Sequence, residues 1–272
     1  MKVGQAFPGI LERRYPIVKP DYTLITVLYV LRMQDVEAVP IFPLSKKNAR
    51  VVFGYSSLSR MVKMTSDGFD RYVNGPCEKA SSRLPVVDPD DDVEDLLKAF
   101  EADRLGVAVV YDGESHKGSL ITLADFLGLY GNGVMRSDLT AAKVGSKVYS
   151  MPGSTTIREA IQAMSRRGHR RVFVSGKGTF VSDKTIMRYL FNPVILEDLD
   201  DQKDFLSTPI VRMQQLSPRR VSPLAPVSLA AATLLRYRGG CLSAGEGTLV
   251  TQWDVVMKPW LAGALTWGKR RR

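Results

Sequence analysis

An apolar pattern with the period of an α-helix occurs four times along the chain. Apolar residues at positions i, i+3, i+4 and i+7 place one hydrophobic stripe on a helix. The four segments that fit run from Leu24 to Leu31, Val93 to Phe100, Ile157 to Met164 and Val227 to Leu234. They start 64 to 70 residues apart, which predicts one structural module repeated four times.

Short apolar stretches and polar turns surround each of these helices in the same order. A stretch precedes each helix at 16–18, 84–87, 147–149 and 220–222. Two more follow as a predicted β-hairpin, the first at 38–42, 107–111, 172–174 and 241–242, the second at 51–53, 119–121, 179–181 and 248–250. A second helix is predicted to begin at a hydroxyl residue able to cap it, namely Ser57, Thr122, Ser182 and Thr251.

The module is therefore a βαββα unit, and the predicted fold class is mixed α/β (α+β). One such unit cannot bury both faces of a three-stranded sheet, so we expect units to pack in pairs. The Gly-rich stretch 131–138 is the best linker candidate, and the acidic stretch 197–201 separates the last two units. The predicted first pair is 1–134, with units 1 and 2 at about 1–75 and 76–134. The second pair is 139–272, with units 3 and 4 at about 139–200 and 201–262 and a basic tail at 263–272.

This pattern resembles the cystathionine-β-synthase-type domain, the CBS domain, whose tandem pair is called a Bateman module. The resemblance covers nearly the whole chain as two pairs. It also rests on a local motif: a small residue, two apolar residues, Ser or Thr, two variable residues, then Asp or Asn. Units 2 and 4 fit it as Ser119-Leu120-Ile121-Thr122-Leu123-Ala124-Asp125 and Thr248-Leu249-Val250-Thr251-Gln252-Trp253-Asp254. Unit 1, aligned as Gly54 to Arg60, has an arginine in place of the acid, and unit 3 has Thr185 there.

The resemblance implies two pseudo-twofold modules stacked as a disc, with adenine nucleotides bound in clefts between repeats. It implies that the acid accepts hydrogen bonds from ribose hydroxyls while the Ser or Thr contacts phosphate. A carboxylate can accept both, and a helix N-terminus aims unpaired N–H groups at an anion. The best candidates are Thr122 with Asp125 and Thr251 with Asp254; the weaker ones are Ser57, Ser182 and Thr185.

The same residues also fit a plain capping box, in which the acid reaches back to the cap N–H. The fourfold recurrence of the unit favours ligand contact in units 2 and 4, and capping alone in units 1 and 3. Arg60 is interpreted as the loss of a site.

Two basic segments leave a second function open. Arg166, Arg167, Arg170 and Arg171 lie within six residues, either as cations at a helix C-terminus or as phosphate ligands. The tail combines an aromatic ring with four cations, as RNA-binding extensions do: Trp267, Lys269, Arg270, Arg271 and Arg272. The net charge of +10 also favours a polyanionic partner.

The sequence also argues against several other classes of protein. The acidic run 88–92 lacks the spacing of a calcium loop, and no catalytic triad, Walker-type phosphate loop or metal-ligand set is evident, so we expect neither an enzyme nor a metal site. The two cysteines, Cys77 and Cys241, are expected to be buried and unpaired. Without a leader or a long apolar run, the chain is expected to be cytoplasmic and free of membrane.

The sequence thus predicts a non-enzymatic regulatory protein that binds AMP, ADP, ATP or S-adenosylmethionine and signals to a protein partner. It is expected to be a monomer, or a homodimer through its module faces. The alternative is an RNA- or ribosome-binding factor that inhibits or stores ribosomes under energy stress.

Overall fold

A computed structural model of the chain describes residues 1–64, 66–192, 205–237 and 240–268. In the first half, the elements are α1 (Val3–Ala6), α2 (Leu24–Gln34), β1 (Ala38–Pro40), β2 (Arg50–Phe53), α3 (Gly54–Met61), α4 (Ser66–Val73), α5 (Cys77–Ala80), β3 (Ser82–Arg83), β4 (Val86–Val87), α6 (Val93–Asp103), β5 (Val107–Asp112), β6 (Lys117–Thr122) and α7 (Leu123–Gly131). In the second half, they are β7 (Met135–Arg136), α8 (Ala141–Val144), β8 (Ser146–Lys147), β9 (Ser150–Met151), α9 (Ile157–Arg167), β10 (Arg171–Val174), β11 (Thr179–Ser182), α10 (Asp183–Leu190), β12 (Arg219–Arg220), α11 (Val227–Arg236), β13 (Cys241–Ser243), β14 (Thr248–Thr251), α12 (Gln252–Leu261) and β15 (Thr266–Trp267). Short 3₁₀ helices lie at Ile10–Glu12, Phe205–Ser207 and Ile210–Arg212.

Each unit contains the predicted antiparallel hairpin, formed by β1–β2, β5–β6, β10–β11 and β13–β14. The strand before the first helix pairs in parallel with the first hairpin strand in units 2, 3 and 4, as β4–β5, β9–β10 and β12–β13. In unit 1 this contact is a single parallel bridge between Val18 and Ile41. The βαββα order and the mixed α/β fold class predicted from the sequence are therefore confirmed.

The four predicted helical stripes are also confirmed, because their apolar positions lie in the core. Leu24, Val93, Ile157 and Val227, the first residues of α2, α6, α9 and α11, are each at most 1% exposed. Their N–H groups donate to carbonyl oxygens of distant residues, namely Gly75 at 2.9 Å, Met1 at 3.0 Å, Thr208 at 2.9 Å and Leu139 at 3.1 Å. A helix begins with N–H groups that lack an intrahelical partner, so these carbonyls satisfy one of them in each unit.

These carbonyls show that the two units of a pair are intertwined. The segment that opens one unit in sequence packs on the other unit: α1 contacts α6, α5 contacts α2, α8 contacts α11 and α12, and the 3₁₀ helix at 205–207 contacts α9. Short antiparallel bridges accompany each contact, such as Lys2 with Asp92 and Thr23 with Pro76.

Four apolar clusters join the units in a regular way. Sheet residues of units 1 and 2 form one cluster, including Val51, Phe53 and Val109, and sheet residues of units 3 and 4 form another around Phe180 and Leu249. Helices join the two halves: the helices of unit 1 pack with those of unit 3, and the helices of unit 2 pack with those of unit 4. Sheets therefore join units within each half, and helices join the halves to each other.

The structure differs from the sequence expectation at the 131–138 stretch. It is not a free linker, because Val134 and Met135 are 1% exposed and β7 pairs with β15 near the C-terminus. The predicted connection at 197–201 lies outside the described residues. Cys77 and Cys241 are buried, as predicted, and burial raises the pKa of each thiol to about 11. Within the described ranges, no helix has the length and apolar composition that crossing a bilayer requires.

Candidate functional site

The junction between the second hairpin strand and the second helix has the same register in three units. Thr122, Ser182 and Thr251 end their strands, pair with Val107, Arg171 and Cys241 respectively, and stand immediately before α7, α10 and α12. All three are N-caps with capping-box geometry, as predicted.

Unit 1 corrects the prediction made for Ser57. There α3 begins at Gly54, and its N-cap position is occupied by Phe53, which pairs with Ala38. Ser57 lies one turn inside the helix, is fully buried and donates to the Phe53 carbonyl at 3.1 Å. It is neither a cap nor open to a ligand. The motif alignment of unit 1 was wrong because it matched Gly54 to the small residue that begins the motif, whereas the backbone places Gly54 directly after the strand.

In unit 2, the carboxylate of Asp125 is engaged at both oxygens. Its Oδ2 accepts from the Thr122 backbone N–H at 2.7 Å and from the Thr122 hydroxyl at 3.1 Å. Its Oδ1 accepts from Nη2 of Arg13 at 2.5 Å. Burial opposes charge on Arg13, but the hydrogen bond and charge of Asp125 outweigh it and raise the pKa of Arg13. Arg13 thus occupies the carboxylate that the resemblance assigns to a ribose.

In unit 4, Asp254 is more tightly enclosed, being 2% exposed. Its Oδ2 accepts from the Thr251 N–H and hydroxyl, both at 2.8 Å, and its Oδ1 accepts from Ser146 at 2.7 Å and forms an ion pair with Nζ of Lys258 at 2.9 Å. Three hydrogen-bond donors and one ammonium group thus occupy both oxygens of this carboxylate. In this structure both acids act as capping groups, and ribose hydroxyls would have to displace existing partners.

In unit 3, Ser182 and Thr185 close on each other. Ser182 N–H donates to the Thr185 hydroxyl at 2.7 Å, and Thr185 N–H donates to the Ser182 hydroxyl at 3.2 Å. The threonine therefore performs the capping role that the acid performs in units 2 and 4. Both residues are at most 5% exposed.

The structure places a cleft of about 260 Å³ beside this unit 3 junction. Units 3 and 4 contribute Ser182, Asp183, Arg171, Leu216, Tyr237 and Gln252 to its lining. Arg171 has no ion pair within 4 Å in the described part of the chain, and its buried Nε has no hydrogen-bond partner there. A guanidinium held in this way next to a helix N-terminus is suited to an anionic group.

Arg170, the neighbouring residue, has a different environment. Its guanidinium donates to Glu37 at 2.6 Å and to Asp183, and lies over the ring of Phe53. Although burial favours the neutral form, Asp183 and Glu37 raise the pKa of Arg170 above its usual value. The prediction of a nucleic-acid contact is therefore wrong for Arg170, because the structure uses its donors to join unit 3 to unit 1.

The other residues predicted to bind nucleic acid lie in several different environments. Arg166 and Arg167 are exposed at the end of α9, with Arg167 stacked 4.2 Å from the centre of the Tyr149 ring. Trp267 is partly buried against the core shared by units 2 and 4 and belongs to β15. The remaining predicted tail residues, Lys269, Arg270, Arg271 and Arg272, lie outside the described residues. In the parts of the chain that the structure covers, no group of three or more His, Cys, Asp or Glu residues could hold a metal ion.

Comparisons with known proteins agree with the repeated fold described above. The family model described as "CBS domain" matches residues 134–192, which include most of unit 3. A proposed archaeal homologue of γ-AMPK from Methanocaldococcus jannaschii has a similar structure, with a TM-score of 0.77 and 13% identity over 94% of this chain and 98% of that one. An uncharacterised conserved protein from Pyrococcus horikoshii has a TM-score of 0.51 and 16% identity over 80% of this chain and 89% of that one. No curated protein sequence matches. The chain therefore matches the CBS domain at residues 134–192, and its fold as a whole is similar to that of these two solved structures.

Proposed function

We propose that this chain is a non-enzymatic regulatory protein that binds an adenine nucleotide between paired repeats and signals its presence to a protein partner. The two pairs are 1–134 and 139–272, as the intertwined contacts suggest. The observation that carries the proposal is the cleft between units 3 and 4, which combines the N-terminus of α10 with the guanidinium of Arg171, whose Nε is buried without a hydrogen-bond partner among the described residues.

The chemistry of the cleft supports a nucleotide over a neutral ligand. Phosphate oxygens accept from a guanidinium, the dipole of α10 favours negative charge at its N-terminus, and Tyr237 also lines the cleft. Arg171 is specific to unit 3, because the equivalent strand positions are Ala38, Val107 and Cys241. Unit 3 is therefore the repeat best equipped to hold an anion, which differs from the sequence prediction that units 2 and 4 carry the sites.

Thermal unfolding with AMP, ADP, ATP and S-adenosylmethionine tests the proposal. A ligand present at 100 times its dissociation constant adds about 2.7 kcal/mol to the free energy of unfolding, which raises the midpoint. Arg171→Ala removes a charge-assisted contact and is expected to weaken binding by about 10-fold or more. Arg14→Ala is the matched control, because Arg14 is exposed and lies outside the cleft.

Two further variants separate the candidate sites. A midpoint shift that persists in Arg171→Ala but is lost in Asp125→Ala or Asp254→Ala would place the nucleotide at the predicted motifs instead. No shift with any of the four ligands would contradict nucleotide binding. The exposed pair Arg166 and Arg167 would then favour the second candidate, RNA or ribosome binding, whose affinity must fall as salt rises.

A further inference from the structure

The cleft between units 3 and 4 is also lined by two acids from the other half of the molecule. Asp35 and Glu37 belong to unit 1, at the end of α2 and just before β1, yet both face the same cleft as Arg171. The negative charges of these two carboxylates therefore oppose the binding of an anion in this cleft.

These acids are paired with the cations of α10 that the cleft offers. Nη2 of Arg188 lies 2.6 Å from Oδ1 of Asp35, and Nζ of Lys184 lies 3.6 Å from Oε1 of Glu37. Lys184 also donates to the Asp35 carbonyl at 3.5 Å. The two cations that could assist Arg171 in holding phosphate are therefore committed to unit 1.

We propose that Asp35 and Glu37 determine the affinity and charge preference of the cleft, and that an anion bound there draws Lys184 and Arg188 away from unit 1. This inference rests on the proposed nucleotide binding. The carboxylates and the ligand phosphates compete for the same two cations, and the carboxylates repel the phosphates as well. Occupancy of the cleft thereby weakens the contact between unit 1 and unit 3.

The coupling is reciprocal by thermodynamic linkage. If a bound nucleotide weakens the unit 1–unit 3 ion pairs, then loss of those pairs must strengthen nucleotide binding by the same factor. The effect grows with ligand charge, so ATP responds more than AMP. A ligand that left the ion pairs unchanged would not be coupled to the interface at all.

Calorimetric titration of ATP and AMP into Asp35→Asn tests this. Asp35 has a positive φ of 51°, a conformation that Asn tolerates, so the substitution removes charge with little backbone strain. Freeing Arg188 is expected to tighten ATP binding by about 2- to 5-fold, the range of a partly exposed ion pair, and AMP binding by less. Glu37→Gln is the second variant and should act in the same direction through Lys184.

Glu12→Gln is the matched control. It removes one carboxylate and one ion pair, with Lys117 at 2.9 Å, at a surface outside the cleft, and should leave both affinities unchanged. Equal affinities in wild type, Asp35→Asn and Glu37→Gln, or weaker ATP binding in the two variants, would overturn the inference while leaving nucleotide binding intact. Failure of the wild-type protein to bind ATP or AMP would instead contradict the proposed function on which it rests.

Discussion

The contact between units 1 and 3 and the contact between units 2 and 4 use equivalent helices but differ in chemistry. The residue whose carbonyl accepts from the first N–H of the second helix is Glu37 in unit 1, Arg170 in unit 3 and Gly106 in unit 2. Glu37 and Arg170 carry opposite charges and pair with each other at 2.6 Å. The corresponding residue in unit 4, by strand register, is Gly240.

The glycines leave no side chain to make such a pair. Gly106 has a φ of 64°, and a Cβ there would meet the side chain of Leu123. The contact between units 2 and 4 is instead formed by a large apolar cluster, which includes a buried hydrogen bond from the Tyr130 hydroxyl to the Val255 carbonyl at 2.8 Å. An apolar contact responds little to charge, whereas the ion pairs of units 1 and 3 respond to any anion nearby. Under the proposed function, this difference makes the unit 1–unit 3 contact the one that senses an anion in the cleft.

Phe126→Ala should produce the largest loss of stability, because Phe126 belongs to the apolar cluster that joins units 2 and 4. Phe126 is fully buried, with ring centres 5.0 Å from Phe7 and 5.7 Å from Phe100. Truncation leaves a cavity and is expected to lower the free energy of unfolding by about 3–5 kcal/mol, measured by chemical denaturation. Leu224→Ala, at an 81% exposed position, is the control. A loss as small as the control's would mean that this core is not the main source of stability.

Arg170→Ala should cause the next largest loss of stability, because it removes the ion pair between units 1 and 3. It leaves Glu37 and Asp183 without their shared cation, and Asp183 is only 6% exposed. Because Arg170 is partly exposed, we expect a loss of about 2–3 kcal/mol, below the full cost of breaking a buried pair. Arg166→Ala removes the same charge at the surface and should cost less than about 0.5 kcal/mol.

The double variant Arg170→Ala/Glu37→Ala sharpens that result. Removing both partners of the pair should cost less than the sum of the two single changes, since neither charge is left alone. Strict additivity would show that Arg170 and Glu37 stabilise the protein independently, and the charged contact would lose its role as a link between halves.

The sequence predicted much of the fold because the signals involved are local. The helical stripes beginning at Leu24 and Val93, the hairpins and the caps at Thr122 and Thr251 all depend on residues a few positions apart. What it missed depends on distant partners. Arg13 reaches Asp125 across 112 residues, and Arg170 reaches Glu37 across 133. No spacing rule connects such residues, and an arginine in a basic run has the same pattern whether it faces solvent or a carboxylate.

The intertwining of paired units was missed for a related reason. The N–H groups at the starts of α2 and α6 bond to backbone carbonyls of Gly75 and Met1, and a backbone acceptor leaves no side-chain signature. The prediction that Ser57 caps the second helix of unit 1 was wrong, because the N-cap is Phe53, four residues earlier, and the sequence alone does not show where the strand ends.

Protonation of Glu37 should produce the smallest of the three stability effects, and it acts on the contact between units 1 and 3. Burial alone would raise the pKa of Glu37, but the charges of Arg170 and Lys184 and the hydrogen bond from Arg170 lower it to about 2. A carboxyl whose pKa is lower in the folded state contributes stability above its unfolded pKa, near 4.5, and loses it as pH falls toward about 2. Since Glu37 is about one-third exposed, screening reduces this contribution to roughly 1–2 kcal/mol.

Denaturant midpoints measured at pH 5.5 and at pH 2.5 isolate this contribution when wild type is compared with Glu37→Gln. All other carboxyl groups are the same in the two proteins, so the comparison attributes the difference to Glu37. We expect the wild-type protein to lose more stability than the variant over this interval. Identical losses would mean that Glu37 gains nothing from its cations in the folded state. The contrast between a charge-dependent unit 1–unit 3 contact and an apolar unit 2–unit 4 contact would then have to rest on Asp35 and Asp183 alone.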